Sequence, residues 1–413
     1  MSLLSRNAAP YLASAAAAGL LAGVTPDVAS AADTYFVPGA SARFEHDSNR
    51  NLTPDGQPSE NVTGYRATAE ALIGSRTPRS DTQLRPQISI SRYPDTKEFN
   101  QTEAQVDLRS NYRSQRSTLG LIARYSRTSE YNAEFADIAF DDFDPTAPVV
   151  GGDGRVIASE RRTRIDVRPS FLYQLTPRTG IGLDVLAQDV SYDADGPTSQ
   201  VDHRNYDFDL HVTRLLTPKT TMLLGVFVSR YETDDDLNQT DGYGLSAALR
   251  QRWSETFTGD VAFRIEDSDI EYRGLVPQKE NRTTWSLQGG LAWRGQVTRV
   301  RMSLGRALTP SGDGSRAIRD ELRAQFDRDL SQRLVWHGIA RAMTQKSLGD
   351  LVPDNKRDSV RVESSLDWRA SRTWTVSLGA AYTWQDREAD PSSADNTSFF
   401  VTVGYRGLGP AGR

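Results

Sequence analysis

The feature that most limits the fold of this chain is a repeated alternation of apolar and polar residues. Between residues 36 and 407, runs of about ten residues alternate in polarity, and each run is followed by a turn and another run. In 359–369, for example, Val360, Val362 and Leu366 share one parity, and mostly charged or polar residues lie between them. A strand places successive side chains on opposite faces. The pattern therefore predicts strands with one apolar and one polar face.

The connections between these runs alternate between short and long. Leu-Thr-Pro-Arg-Thr at 175–179 recurs as Leu-Thr-Pro-Lys-Thr at 216–220, about one hairpin further on. Short turns are predicted near 76–80, 114–117, 176–179, 217–220, 254–257, 295–298, 330–333 and 370–373. Long connections are predicted at 48–63, 130–160, 193–203, 233–241, 272–282, 308–318, 347–357 and 387–396. A soluble sandwich also alternates in polarity, but this asymmetry of connections is typical of outer-membrane barrels.

The aromatic residues of the apolar face gather at the ends of the predicted strands. Next to short turns lie Tyr112, Tyr173, Trp253, Trp293, Trp336, Trp368, Trp374 and Tyr405. Next to long connections lie Phe44, Tyr65, Tyr206, Tyr243, Trp285, Trp384 and Phe399. Amphipathic rings favour the headgroup level of a bilayer, so two aromatic belts indicate a transmembrane barrel. Core aromatics of a soluble β-fold are the alternative interpretation.

The sequence thus predicts an all-β protein with one transmembrane antiparallel up-and-down β-barrel. About 18 strands are expected, with 16 as the alternative count. Residues 1–31 are typical of a cleaved secretory signal peptide, with Arg6 before an apolar stretch at 12–24 and a small-residue cleavage site at Ala29-Ser30-Ala31. Residues 32–413 then form the barrel. The predicted location is the outer membrane of a Gram-negative bacterium.

The polar parity predicts a charged wall facing the lumen of the barrel. Its arginines, Arg323 and Arg361 among them, and its carboxylates are nearly equal in number. This wall is interpreted either as paired charges that rigidify the barrel or as a surface that selects ions. Because the two signs nearly balance, the sequence predicts no strong preference for anions or cations.

The connection at 130–160 is the most specific candidate for a functional element. It joins the fifth and sixth strands and has Gly151-Gly152 as a hinge, and its acidic residues are Glu134, Asp137, Asp141, Asp142, Asp144 and Asp153. One hypothesis is that it folds into the lumen and faces Arg124, Arg164 and Arg168, which narrows the pore. General porins place a constriction loop at this connection, so the idea is partly an analogy. The alternative is an outer-surface loop or a weak site for divalent cations.

Other functional classes find little support in the sequence. The chain has no cysteine, and its four histidines lie on separate strands or loops without metal-ligand spacing. No nucleophile elbow, phosphate loop or zinc-protease motif occurs, so no catalytic residue, metal or cofactor is predicted. A hydrolase site assembled from scattered residues is the open alternative. The net charge of −5 gives no basic bias towards nucleic acid.

The layout resembles the β-barrel porins encoded with exopolysaccharide-biosynthesis operons. That resemblance rests on the signal peptide, the barrel length and the segment Ala42-Arg43-Phe44-Glu45-His46-Asp47-Ser48-Asn49 near the start of the barrel. It implies a channel for passive passage or export of polar solutes or a polysaccharide. A non-conducting structural or surface-binding barrel is the alternative function.

Two further partners follow from this interpretation. Outer-membrane lipid would surround the apolar face. The last strand, Phe399 to Tyr405, is typical of the signal that the barrel-assembly machinery recognises, although the chain continues past it to Arg413. The sequence predicts no oligomeric state.

Overall fold

The protein forms a closed 18-stranded antiparallel barrel in a computed structural model. The structure describes residues 32–129, 161–193, 200–235, 237–274, 277–312, 314–348, 356–388, 390 and 392–409. Residues 1–31 lie outside this range, so the cleaved signal peptide stays a prediction. The strands are β1 Asp33–Asp47, β2 Val62–Arg76, β3 Ser80–Arg92, β4 Gln101–Arg113, β5 Ser117–Ser129, β6 Arg161–Thr176, β7 Thr179–Tyr192, β8 His203–Thr217, β9 Thr220–Thr233, β10 Asn238–Arg252, β11 Phe257–Tyr272, β12 Gln278–Arg294, β13 Thr298–Pro310, β14 Arg316–Asp329, β15 Leu334–Ser347, β16 Arg357–Arg369, β17 Trp374–Arg387 and β18 Ala394–Arg406.

Each strand pairs with its neighbours in sequence, and the first strand closes the ring by pairing with the last. β1 contacts β2, with Asp33 opposite Arg76, and also contacts β18, with Gly39 opposite Arg406. Closure gives every strand two neighbours, although residues 278–286 of β12 extend beyond the residues that pair with β13. Because the number of strands is even, the start of β1 and the end of β18 lie at the same edge of the barrel, the edge that carries the short turns. The predicted fold and the count of 18 strands are confirmed.

The outward face of the barrel is apolar and exposed, as the alternation predicts. Leu378, Leu245 and Phe44 are exposed by 61%, 59% and 57%. On β17 the outward residues Trp374 and Tyr382 mark the two aromatic levels. They are eight residues apart, which is about 27 Å along the strand and about 20 Å along the barrel axis at a tilt of about 40°, close to the height of a membrane-facing apolar band. Six of the seven tryptophans are among the exposed residues of this face.

Some strands extend further beyond the aromatic level than the sequence predicts. β9 ends at Thr233 and β10 begins at Asn238, so the predicted long connection at 233–241 shrinks to 234–237. The connection predicted at 308–318 shrinks to 311–315. A connection at 93–100, which contains a 3₁₀ turn at Lys97–Phe99, joins β3 to β4 on the same edge. The two edges of the barrel, named here the short-turn edge and the long-connection edge, therefore differ less in loop length than expected.

A small apolar cluster fixes the first two connections at the long-connection edge. Leu52, Val62, Tyr93, Phe99 and Ala394 are buried together. The Tyr93 hydroxyl donates a hydrogen bond to Glu45, and Arg50 lies over the Tyr93 ring at 4.5 Å. Burial raises the pKa of Tyr93, so the hydroxyl stays protonated and keeps this donor role.

Among the described residues, no helix has the length and apolar character needed to cross a bilayer.

Candidate functional site in the lumen

The inward face of β14 to β17 carries two rows of arginines. In the first row, Arg323 lies opposite Arg341, and Arg341 lies opposite Arg361, on three consecutive strands. In the second row, Arg357 lies opposite Arg387. Arg319 belongs to the second row through Gln345, which pairs with both Arg319 and Arg357. These six arginines are called the arginine grid.

Two carboxylates lie within the arginine grid. Glu321 accepts from Arg341 at 3.1 Å and from Arg319 at 3.2 Å, and it also contacts Arg323. Glu363 pairs with Arg361 at 3.0 Å. Direct opposition of like charges on neighbouring strands is unfavourable unless counter-charges intervene. Among the described residues of this part of the wall, the six arginines outnumber these two carboxylates.

The opposite wall, on β7 and β8, is acidic. Asp184 lies opposite Asp209, and Asp207 shares their face. β7 and β8 lie about halfway around an 18-stranded ring from β15 to β17, so the two walls face each other across the lumen. Arg264 of β11 reaches Asp207 at 3.0 Å and Asp209 at 3.1 Å. The three aspartates are called the acidic wall.

A luminal cavity of about 660 Å³ opens beside the acidic wall towards the short-turn edge. It is lined by Arg109, Ile122, Arg168 and the three aspartates, together with the turn at 77–79. Ile122 is 43% exposed and shares the parity of inward Arg124, so it presents an apolar surface to the lumen. The cavity thus combines basic, acidic and apolar side chains.

The three arginines predicted as site residues lie on neighbouring strands of the inner wall. Arg124 on β5 pairs with Asp107 at 2.6 Å, and it lies opposite Asp166 of β6. Arg164 pairs with Asp166 at 2.8 Å and is buried, and Arg168 lines the cavity. The structure therefore brings this basic side of the predicted constriction together. The acidic residues proposed to face it, Glu134, Asp137, Asp141, Asp142 and Asp144, lie outside the described residues, so the constriction stays a prediction.

A different connection crosses part of the lumen at the long-connection edge. The segment 311–315 joins β13 to β14, yet its carbonyl groups accept hydrogen bonds from the other side of this edge. The Val201 backbone N–H donates to Gly312 at 2.9 Å, and the Asn238 side chain donates to Gly314 at 2.8 Å. Arg316, the next residue, contacts Glu266 on β11. These contacts join elements several strands apart and partly cover the mouth.

Some members of the arginine grid could be predicted from the sequence, and others could not. Arg323 and Arg361 follow from the alternation, and Arg319 shares the parity of Arg323, so the same rule finds it. Arg357 and Arg387 fall in segments that the sequence assigns to loops. Their place in the grid depends on how far β16 and β17 extend.

No protein-family model matches the chain, and no curated protein matches it in sequence. Several solved structures are similar in architecture. Pseudomonas aeruginosa OpdK with vanillate is 11% identical, with 91% of this chain and 99% of that chain covered and a TM-score of 0.46. P. aeruginosa OccK2 (OpdF) with glucuronate is 10% identical, with the same coverage and TM-score. Acinetobacter baumannii OccAB3 is 10% identical, with the same coverage and a TM-score of 0.44. The likeness assigns no function.

Proposed function

We propose that the protein is a porin-like channel of the outer membrane through which small polar solutes pass, with a preference for anions. The observation that carries this proposal is the arginine grid, which places six arginines of four neighbouring strands on one side of a closed barrel. Charged surfaces along a pore bias the ions that enter it. The apolar outward band supports the membrane location, because such a surface is stable only against hydrocarbon or a large partner.

The two facing walls also orient solutes. A positive wall on β14 to β17 and an acidic wall on β7 and β8 create a field across the lumen. Such a field aligns a solute that carries a negative group at one end and hydroxyl groups along its body. We infer that small hydroxylated or amphipathic anions fit this lumen best, because Ile122 adds an apolar contact next to the charged groups.

Two further parts of the interpretation stay proposals. Export of a polysaccharide follows from the resemblance to barrels of exopolysaccharide operons, and neither the arginine grid nor the cavity requires a polymer. Insertion by the barrel-assembly machinery follows from the last strand alone. A non-conducting barrel is the competing function, and it is favoured by the segment 311–315 that partly covers the mouth.

Planar-bilayer recording tests the proposal. We expect the folded protein to open discrete conductance steps whose reversal potential in a KCl gradient shows chloride preferred over potassium. Replacing Arg323, Arg341 and Arg361 by Gln should lower this permeability ratio about threefold or more, since each removed charge weakens the positive wall. Replacing outward Arg204, Arg230 and Arg306 by Gln removes the same charge outside the lumen and should leave the ratio unchanged. Absence of any conductance step would favour the non-conducting barrel.

A further inference from the structure

Exposed basic residues form a ring at the short-turn edge of the barrel. Six of the eight short turns carry one, at a position one or two residues before the next strand. The members are Arg79, Arg116, Arg178, Lys219, Arg333 and Arg372. Glu255 is the one acidic residue within these eight turns. The six residues are called the basic turn ring.

A common local structure holds most of the ring in one orientation. In five of the turns, a Ser or Thr hydroxyl accepts a hydrogen bond from the backbone N–H of the basic residue two positions later. The pairs are Thr77 with Arg79, Ser114 with Arg116, Thr176 with Arg178, Thr217 with Lys219 and Ser331 with Arg333, at 3.2–3.4 Å. Such turns satisfy the backbone locally. Each basic side chain therefore leaves its turn at an equivalent place around the barrel.

The ring has no ionic partner within the part of the chain that the structure describes. Two carboxylates near it are engaged elsewhere, since Asp81 pairs with Arg76 at 2.9 Å and Asp329 pairs with Arg369 at 3.6 Å. The Lys219 ammonium group donates to the backbone carbonyl of Trp253 at 3.5 Å. By contrast, several outward arginines of the long-connection edge are paired with carboxylates. Arg204 lies 3.0 Å from Asp189, and Arg306 lies 2.7 Å from Asp320. The charge at the short-turn edge is thus uncompensated.

Apolar side chains in or next to the same turns place the ring at the level of lipid headgroups. Leu175, Leu216 and Leu330 are exposed by 50%, 45% and 49%. Each lies three residues before a member of the ring, namely Arg178, Lys219 and Arg333. The aromatic belt of this edge begins within a few residues of the turns, as at Trp336 and Trp374. Exposed leucine side chains next to aromatic residues bury apolar surface at the boundary between hydrocarbon and headgroups, whereas in open solvent that surface stays in contact with water.

We propose that the basic turn ring binds anionic phospholipid headgroups of the leaflet on the short-turn side. The ring follows most of the barrel circumference, which fits a surrounding bilayer better than a protein docked on one side. Phosphate and glycerophosphate groups match exposed guanidinium groups in charge and geometry. Basic residues close to an anionic membrane surface attract it strongly at moderate ionic strength. This inference requires that the barrel spans a bilayer, but it does not require a conducting lumen.

Quenching of tryptophan fluorescence by brominated lipids tests this inference. Five of the seven tryptophans lie next to the short turns, so quenching reports lipid at this level. We expect brominated phosphatidylglycerol to bind there about fivefold more strongly than brominated phosphatidylcholine in mixed vesicles, which corresponds to one effective basic contact per lipid. Raising NaCl to about 1 M should bring the ratio towards one, because screening then acts within a few ångströms.

A matched pair of variants distinguishes the effect of the basic turn ring on lipid binding from the effect of net charge. Arg116→Gln, Arg178→Gln, Lys219→Gln and Arg333→Gln together should reduce the binding ratio to about one. Arg127→Gln, Arg204→Gln, Arg230→Gln and Arg306→Gln remove the same charge at the long-connection edge and should leave the ratio unchanged. Heat-dependent gel migration establishes that each variant is folded.

Three outcomes would overturn the inference. A ratio of one in the unaltered protein, an unchanged ratio in the ring variant, or an equal loss in both variants would each show that the ring does not select anionic lipid. If neither brominated lipid quenches the tryptophan fluorescence, the result would contradict a membrane-spanning barrel. That result is distinguishable, because it affects phosphatidylcholine as well.

Discussion

Glu321 has the largest role of any single carboxylate in the arginine grid. It contacts Arg319, Arg323 and Arg341, and its side chain is 8% exposed. Sequence alternation places residues 319, 321 and 323 on one face, so these charges were predictable as neighbours on one strand. The contact with Arg341 was not predictable in the same way, because it depends on the register between β14 and β15. A shift of one residue would turn Arg341 outward.

Replacing Glu321 by Gln tests this role. The shared carboxylate is lost while the shape is kept, so we expect the free energy of unfolding in lipid vesicles to fall by about 2 kcal/mol. The same change should raise the preference for chloride in a bilayer recording, because positive charge is no longer offset. Glu271→Gln, at the exposed rim near Arg273 and Lys279, is the control and should change neither property. A rise in stability, or a fall in chloride preference, would show that Glu321 does not offset the grid.

The arginines themselves show where sequence reasoning about the site stops. Arg124, Arg164 and Arg168 were predicted to share the inner wall, and β5 and β6 place them there. Arg357 and Arg387 were assigned to loops, although they complete the second row of the grid. Polarity alternates along a strand only where the two faces of the sheet meet different environments. The pattern therefore identifies inward residues at the level of the membrane, but it does not identify them near the rim.

At the scale of elements, the strands were predictable and their outer ends were not. Inside the membrane band one face meets hydrocarbon and the other meets water, so the residue pattern has to alternate. Beyond that band neither face meets hydrocarbon, and residues such as Asn238, Thr240 and Asp241 on β10 are all polar, so their polarity does not alternate. The sequence therefore assigns them to a loop. The length of β10 follows instead from backbone pairing with β9 and β11.

The connection at 130–160 gives a prediction at this scale. Deletion of 138–152 removes Asp141, Asp142 and Asp144, and if the connection narrows the lumen, single-channel conductance should rise about twofold or more because a wider pore passes more ions. Changing only these three residues to Asn should leave the conductance step nearly constant but increase the preference for chloride. Neither change is expected if the connection lies on the outer surface. An unchanged conductance after the deletion would contradict the constriction.

At the scale of the whole molecule, the closed sheet separates three environments. Apolar residues face outward between two aromatic levels, charged residues face inward, and the two edges differ in charge pairing. The short-turn edge carries exposed basic residues, whereas outward arginines of the other edge lie beside carboxylates. A barrel was predictable from the alternation of short and long connections and from the two aromatic belts. The sequence did not predict that a positive wall faces an acidic wall, because that arrangement depends on which strands lie halfway around the ring from each other.

The chain has no cysteine, so single introduced cysteines report the environment of neighbouring residues without background. On β16, Ser365 faces the lumen beside His337, and Leu366 faces outward with 41% exposure. The decisive measurement is the reaction rate of Ser365→Cys and Leu366→Cys with a charged, water-soluble thiol reagent in lipid vesicles. A closed barrel with hydrocarbon outside and water inside predicts fast reaction at 365 and protection at 366. Equal reaction at both positions would contradict a lipid-facing surface, and protection at both would contradict a water-filled lumen.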